Sequence, residues 1–435
     1  MAPTTLTRET ENIIATLDGI GAADVAGDRE AQIAVATAAR RMLARVQTPF
    51  ERVLRFQIDA AAAAICQILL DLGLWKGWAE AGGGTATAAQ LVDYCSPVAP
   101  DMNLLRRLLR YLAAEFVVEE VGANVYRPTA FSLELGKPAS ATTQALLVHD
   151  HHWRDSCRNF PSFLAKTGYQ EPLDPAVSNY ADWVPEKLPL FERMRLNPAY
   201  AASFTGWMAG LVGYKSDWTD TYDTQALVEG FLQRRNSSSD TPSEDQATLL
   251  VDIGGAHGLD VSSLLAKHPD LPAGCLVLQD LANVTAVAGV DRDQIRLMPH
   301  DFFTEQPVRG SRAYFLHAIL HDWDDRDCRR ILRRVAAAME PGYSRLIVCD
   351  VAMPETGASS YQTAVDFGLM LQVSARERTE TQWRLLLRSA GFRVVAISFP
   401  PVSGTEAIIE AELFGGDDDE EGVEECEEYG DEEEE

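Results

Sequence analysis

The chain has 435 residues, 46% hydrophobic and 24% charged, which excludes a disordered or collagen-like protein and sets two or three globular domains as the expectation. The net charge is −27; the last 21 residues, Gly415 to Glu435, hold 14 acids and no base, and removing them leaves −13 on the rest. That balance argues against a nucleic-acid backbone as partner.

The opening Met1-Ala-Pro-Thr-Thr-Leu-Thr-Arg-Glu lacks the basic-then-apolar pattern of a secretory signal. No apolar run is read as reaching the ~18 residues of a membrane span. Seven scattered cysteines with no CxxC pair read as reduced thiols. A cytoplasmic protein that does not contact a membrane is expected.

Residues 5–18 and 28–47 have helical spacing, with Asp28 placed to cap the second. A third helix runs from Phe50 to about Leu72 and contains Ile58-Asp-Ala-Ala-Ala-Ala-Ala-Ile65. Its small side chains suit either close packing against a second subunit or an ordinary core. Thr85 to Cys95 and Met102 to Phe116 read as helices, and Val117 to Tyr126 alternates about a Gly-Ala-Asn turn as a hairpin. Helices followed by a hairpin make a winged-helix arrangement. Arg106, Arg107 and Arg110 lie where a DNA-reading helix would carry them, but the charge balance favours a solvated face.

Residues 137–240 read as helical and irregular. His149-Asp150-His151-His152-Trp153 stands out there. No further Cys or His cluster completes a metal set, so a substrate-contacting histidine and an ordinary packed one stay open. Asn236 to Pro242 is a polar boundary loop, and its sequon Asn236-Ser237-Ser238 carries little weight without a secretory signal.

An α/β pattern follows. Leu249 to Ile253 is a short apolar run, broken by Gly254, Gly255 and Gly258, and a helix is expected over Leu259 to His268. Strand, glycine turn and helix begin a nucleotide-binding unit, since the turn admits a ligand to the backbone and the helix start offers unpaired N–H groups. Val277-Leu-Gln-Asp280 reads as the second strand, its acid about 20 residues on, where such folds hold ribose hydroxyls. The cluster fits neither the dinucleotide fingerprint nor a P-loop. Further strands are expected at 295–298, 313–316, 345–349, 393–398 and 406–413, with helices at 324–339, 366–371 and 379–390. The acidic tail is too charged to fold.

Six motifs in order carry a resemblance: Val251-Asp-Ile-Gly-Gly-Ala-His-Gly258, Gln279-Asp-Leu281, His300-Asp-Phe-Phe303, Leu320-His-Asp-Trp323, Glu377-Arg-Thr379 and Ala390-Gly-Phe392. Over residues 50–413 the chain resembles the class I S-adenosylmethionine-dependent O-methyltransferases of plant and fungal secondary metabolism, the caffeate and sterigmatocystin type. The resemblance implies an α/β fold: a Rossmann-like methyltransferase domain preceded by a mostly α, winged-helix-like dimerisation domain. The expected segments are leader helices over 1–48, the dimerisation domain over 49–136, a helical connecting and substrate-contacting segment over 137–240, the cofactor domain over 241–414 and the tail over 415–435.

It also implies roles. S-adenosyl-L-methionine is the cofactor, held by Asp252, Gly254, Gly255, Gly258, Asp280, Leu281, Asp301, Phe302 and His317. His321 matches the family's catalytic base, bracketed by Asp350 and Glu377. Phe204, Met208, His152, Trp323 and Asp366 are the substrate-side candidates. No metal is implied, and the partners are a small aromatic or polyketide-type molecule and a second copy of the chain.

The chemistry agrees with that set. Displacement at a sulfonium needs proximity, alignment and a deprotonated oxygen. A phenol titrates near 10, so a base is useful, and a histidine with an ordinary pKa near 6.5 suits when a carboxylate fixes its tautomer. Four departures touch the pocket: Ala256 replaces a third glycine, Asp350 is one bond shorter than the family's Glu, His317 stands where Lys or Arg is usual, and Val373-Ser-Ala-Arg376 lacks the Asn-Gly-Lys character common before Glu377.

An alternative use of the fold is kept. Some fungal relatives retain the cofactor as a fixed charge and catalyse dehydration or pericyclic ring formation. A winged-helix regulator that merely binds a nucleotide is the third reading, opposed by the acidic charge.

Overall fold

Helices Arg8–Asp18 and Arg29–Val46 bury none of their side chains, and Asp28 caps the second by accepting the Ala31 N–H at 2.9 Å. Helix Pro49–Asp71 starts with a proline and a reciprocal cap between Thr48 and Glu51. It is long and apolar enough, by length and composition, to cross a membrane, which corrects the expectation that no segment reaches that length. It also carries Glu51, Arg52, Arg55 and Asp59. Arg55 pairs with Glu115 at 2.7 Å, and Tyr111 donates to the Ile58 carbonyl at 3.2 Å, so one face packs on helix Met102–Ala114. Phe50 and Phe56 on the same helix are exposed.

The expected helix over 85–95 is split. Strand β1 (Ala86–Thr87) joins a small antiparallel sheet with β2 (Val118–Gly122) and β3 (Val125–Pro128), in the order β1-β3-β2, and the helix is confined to Ala88–Asp93. Helix Leu74–Glu80 lies in a stretch for which no element was expected. Gly77 is there for contact: a Cβ would lie 2.1 Å from the Tyr94 carbonyl oxygen. These elements belong to one compact unit, Met1–Pro138, and the rest of the chain forms a second, Ala139–Glu435. The computed structural model describes residues 7–174, 177–212, 215–237, 248–400 and 406–414. The acidic tail and most of the 236–242 loop lie outside them.

The second unit is built on a seven-stranded sheet. Its strands are β4 (Leu250–Ile253), β5 (Leu276–Asp280), β6 (Ile295–Pro299), β7 (Ala313–His317), β8 (Arg345–Asp350), β11 (Phe392–Ser398) and β12 (Ala407–Leu413), in the order β11-β12-β8-β7-β4-β5-β6. All pairings are parallel except those of β12, which runs against both neighbours. Alternate residues face two layers: Val251, Ile253, Tyr314 and Leu316 pack on one side, Leu250, Leu276, Ala313 and Phe315 on the other, all buried. Burial on both faces explains the near-continuous apolar runs of these strands. The strand order reverses between β4 and β7, and a Rossmann-like sheet binds ligands beyond the carboxyl ends of the strands at that point.

Two further elements shape that edge. Helix Ser360–Val373 is longer than the expected 366–371, because Ser359 and Gln362 cap it reciprocally. Strands β9 (Ala352–Met353) and β10 (Arg378–Thr379) form a two-residue parallel pair. Elements this short carry no periodicity, so the sequence gives no sign of them. The pair lies just beyond Asp350 and immediately follows Glu377.

Candidate active site

At the end of β4 the chain turns through Gly254 (φ +74°), where a Cβ would lie 2.6 Å from Ile319 Cδ1. Ala256 holds φ +47° without being glycine, a conformation costing roughly 1 kcal/mol. Its N–H donates to Asp280 Oδ2 at 2.9 Å, which ties the acid of β5 to the turn. The Leu281 N–H donates to the other oxygen at 2.7 Å, while the Leu281 side chain is exposed. Asp252 lies beneath the turn: a Cβ on Gly255 would be 2.3 Å from its Oδ2. Neither Asp252 oxygen has a hydrogen-bond partner among the described residues. Burial, with Asp260 adding to it, pushes its pKa well above the carboxylate range. Asp301 caps the next loop by accepting the Phe303 N–H at 3.0 Å, and the Phe302 ring meets Trp323 edge-to-face at 6.0 Å.

His317 closes β7, and both of its ring nitrogens are taken. Nδ1 lies 2.8 Å from Asp260 Oδ2 and Nε2 lies 3.1 Å from Glu406 Oε2. Burial opposes a charge on His317, but Cys349, Glu406 and Asp260 outweigh it and hold the pKa well above 6.5. Lys215 pairs with the other oxygen of Glu406. Burial would raise Glu406, yet His317 and Lys215 bring it down to about 2. His317 and Lys215, far apart in sequence, thus share Glu406 as their counter-ion.

His321 sits on a single 3₁₀ turn, Leu320–Asp322, and its side chain is mostly buried. Its Nδ1 is 2.9 Å from Glu377 Oε1 and 3.4 Å from Asp350 Oδ1, so the shorter Asp stands off as its length requires. Among the described residues the acid facing Nε2 is Asp322, whose Oδ1 lies at 3.7 Å, beyond hydrogen-bonding distance. Burial opposes charge here too, but Glu377, Asp350 and Asp322 raise the His321 pKa to about 10. This corrects the expectation of a pKa near 6.5, because two buried carboxylates face one ring. Burial pushes Asp350 up to about 7 and raises Glu377, with His321 opposing both. The Glu377 N–H donates to Asp366 Oδ1 at 2.9 Å, so Asp366 holds the backbone of His321's partner. The donor atoms of His321, Asp350 and Glu377 lie within 4.8 Å of one another, as do those of His317, Cys349 and Glu406, a spacing also compatible with a metal ion.

The remaining candidates form a separate aromatic group. His149–Trp153 is a π-helical turn between helices Ala141–Val148 and Arg154–Lys166. His152 is fully buried, its Nδ1 2.6 Å from the Tyr180 hydroxyl, and its Nε2 has no partner among the described residues. Arg193 donates to the same hydroxyl at 3.1 Å. Arginine only donates, so the Tyr180 O–H is free to donate to His152 Nδ1, which leaves the proton of a neutral ring on Nε2. Burial, then His151 and Arg193, lower the His152 pKa to about 4, which keeps it neutral. Phe204 packs edge-on against Phe191 and Trp207, and Met208 is half-buried on the same helix, Pro198–Val212.

An O-methyltransferase domain matches residues 243–393. The O-methyltransferase ATR12 of Stachybotrys chlorohalonatus is 40% identical over 404 residues, covering 92% of this chain and 98% of the relative. The chain belongs to the class I S-adenosylmethionine-dependent O-methyltransferases of secondary metabolism. Among solved structures this methyltransferase is similar to LepI in complex with S-adenosylmethionine (26% identity, TM-score 0.78, 93% of this chain and 100% of that one). It is equally similar to a structure described as a pericyclic reaction enzyme (26%, TM-score 0.78, 94% and 100%).

The methyltransferase's own residues fit the cofactor. The positive-φ glycines of the turn let a ligand approach the backbone, Asp280 keeps acceptor capacity beside them, and Phe302 presents an aromatic surface next to Gly254. His317 is placed beside this turn, but Asp260 and Glu406 engage both of its nitrogens, so it sets the local charge. The sequence reading missed Lys215, Asp260, Glu406, Tyr180, Arg193 and Arg378. Only Arg378 left a readable signal, inside Glu377-Arg-Thr379.

Proposed function

We propose that this O-methyltransferase methylates a phenolic hydroxyl of an aromatic or polyketide-type small molecule, with His321 as general base. The observation that carries the reading is the asymmetry of His321: Glu377 and Asp350 hold Nδ1, and Nε2 is left for a substrate proton. When bound, S-adenosylmethionine supplies the methyl group on a positively charged sulfonium whose thioether is a good leaving group. The glycine turn, Asp280 and Phe302 bind it, with Asp252 as the floor. Glu377 fixes the neutral imidazole as the Nδ1–H tautomer. Only the unprotonated ring of His321 can act as base: that form takes a proton from a phenol of similar pKa with little thermodynamic cost, and it grows as pH rises toward about 10, so transfer should accelerate on the alkaline side. The buried His152 Nε2–H suits an acceptor oxygen elsewhere on the substrate, and Phe204, Met208 and Trp323 suit its rings.

The winged-helix-like first unit fits a homodimerisation role, supported by the exposed Phe50 and Phe56 on helix Pro49–Asp71. A cytoplasmic location goes with this assignment.

A second reading draws on one observation. His321 carries its proton at neutral pH, and an imidazolium can polarise a substrate carbonyl without any methyl transfer. The experiment is mass spectrometry with label in the cofactor's methyl group and a panel of phenolic polyketides and alkaloids. Methylation predicts label in the product and one S-adenosylhomocysteine per turnover, unaffected by a chelator. An isomerised or dehydrated product without S-adenosylhomocysteine would establish the second reading.

A further inference from the structure

Arg378 is 1% exposed, and nearly every donor it has is spent on one small region. Nη1 donates to the Leu320 carbonyl at 2.8 Å and Nη2 to the Trp323 carbonyl at 2.8 Å. These two carbonyls bracket the turn that carries His321. Nε and Nη2 both donate to Asp325 Oδ1, at 3.0 and 2.7 Å. The guanidinium lies 5.3 Å from the centroid of Trp383, whose own N–H donates to the Val351 carbonyl at 3.0 Å. In the backbone, Arg378 follows Glu377 directly and pairs with Ala352, two residues beyond Asp350. One residue thus joins the three short segments that carry His321, Glu377 and Asp350, the first through its side chain and the other two through its backbone.

We infer that Arg378 is a positioning residue for methyl transfer: its fork fixes the His321 turn at hydrogen-bonding distance from Glu377. A turn of three residues has too few backbone hydrogen bonds to hold its own orientation. The planar fork can serve two carbonyls and a carboxylate at once, and an ammonium cannot reproduce that geometry. Burial of the guanidinium makes the arrangement exacting, since its donors have no water to fall back on.

The inference rests on His321 being the base, and the test separates the two claims. Arg378→Lys keeps the charge and removes the fork. The groups facing His321 are Glu377 and Asp350 on Nδ1 and Asp322 on Nε2, with Asp366 behind Glu377 and Asp325 behind Arg378. None of these is changed by Arg378→Lys, so a moved titration reports moved geometry. His321 is followed by NMR in histidine-labelled protein, its signal assigned by loss in His321→Gln. Positioning predicts that the His321 midpoint falls by a unit or more in Arg378→Lys. It also predicts that kcat drops about tenfold to a hundredfold, with KM and S-adenosylmethionine affinity within about twofold of the parent.

A lower melting temperature with the His321 midpoint and kcat unchanged would overturn it, leaving Arg378 a purely structural residue. If Arg378→Lys does not fold, Asp325→Asn reads the same quantities: it loosens the guanidinium from one side and is expected to move both in the same direction by less. Should His321→Gln keep full activity while Arg378→Lys still moves the His321 midpoint, the positioning stands and the base assignment falls.

Discussion

Two largely buried histidines lie four residues apart at the carboxyl edge of the sheet, and each faces carboxylates. Around His317 they take one nitrogen each, Asp260 on Nδ1 and Glu406 on Nε2. Around His321 Glu377 and Asp350 converge on Nδ1, and Asp322 stands 3.7 Å from Nε2, out of hydrogen-bonding reach. Both rings are held charged by acids; what differs is which nitrogens the acids engage, and that Lys215 shares Glu406 with His317. A ring engaged at both nitrogens is a fixed cation in a balanced network with Lys215, and a ring engaged at one has a face left for chemistry. The raised pKa of both therefore does not distinguish them, and the unclaimed nitrogen of His321 is the feature on which its proposed role as base rests.

The comparison can be broken most directly by removing each ring. His321→Ala is expected to lower kcat by about 10²–10⁴-fold, the usual worth of a general base, with cofactor binding intact by calorimetry. His317→Ala should act on stability instead. It leaves Asp260 and Glu406 without their shared cation, a loss of about 3 kcal/mol read by denaturant unfolding, with a smaller effect on kcat per folded molecule. Equal losses of kcat from the two substitutions would erase the distinction.

A finer test changes the electrostatics and keeps the ring. Glu377→Gln removes one anion from Nδ1, so the His321 pKa should fall from about 10. The rising limb of kcat/KM against pH should then move at least a unit toward lower pH, with kcat reduced at least about tenfold by lost orientation.

The smallest effect is on stability against pH. The folded pKa of His321 lies above 6.5, so its stabilisation is fully present below pH 6.5 and lost as pH rises through about 10. Asp350 is raised from 3.8 to about 7, so the fold disfavours its ionisation and loses stability across that interval. Both act in the same direction, and the melting temperature should decline as pH rises from about 4 to 10. In His321→Ala the decline above pH 7 should flatten.

Much of this was legible in the residues. The glycine turn, Asp280 and the five parallel strands from β4 to β8 follow from apolar periodicity and spacing, and the His321, Asp350 and Glu377 set was implied by the family resemblance that the ordered motifs carry. What was not legible falls into two kinds. Short elements such as β9, β10 and the π-helical turn have no period to read. Partners brought together by topology, such as Tyr180 for His152 or Lys215 for Glu406, lie too far apart in sequence for spacing to join them. The protonation of His321 belongs with these, since it depends on how closely two carboxylates approach one nitrogen.

The reversed direction of β12 has a consequence for how such a site can diversify. Parallel strands deliver their last residues to the ligand edge; β12 delivers its first, which is how Glu406 comes to touch His317 across 89 residues of sequence. The charge beside the glycine turn therefore depends on one residue just ahead of the last strand. Changing Glu406 would retune that charge while every signature motif stayed as it is, so inheritance of those motifs and change of local electrostatics can proceed independently.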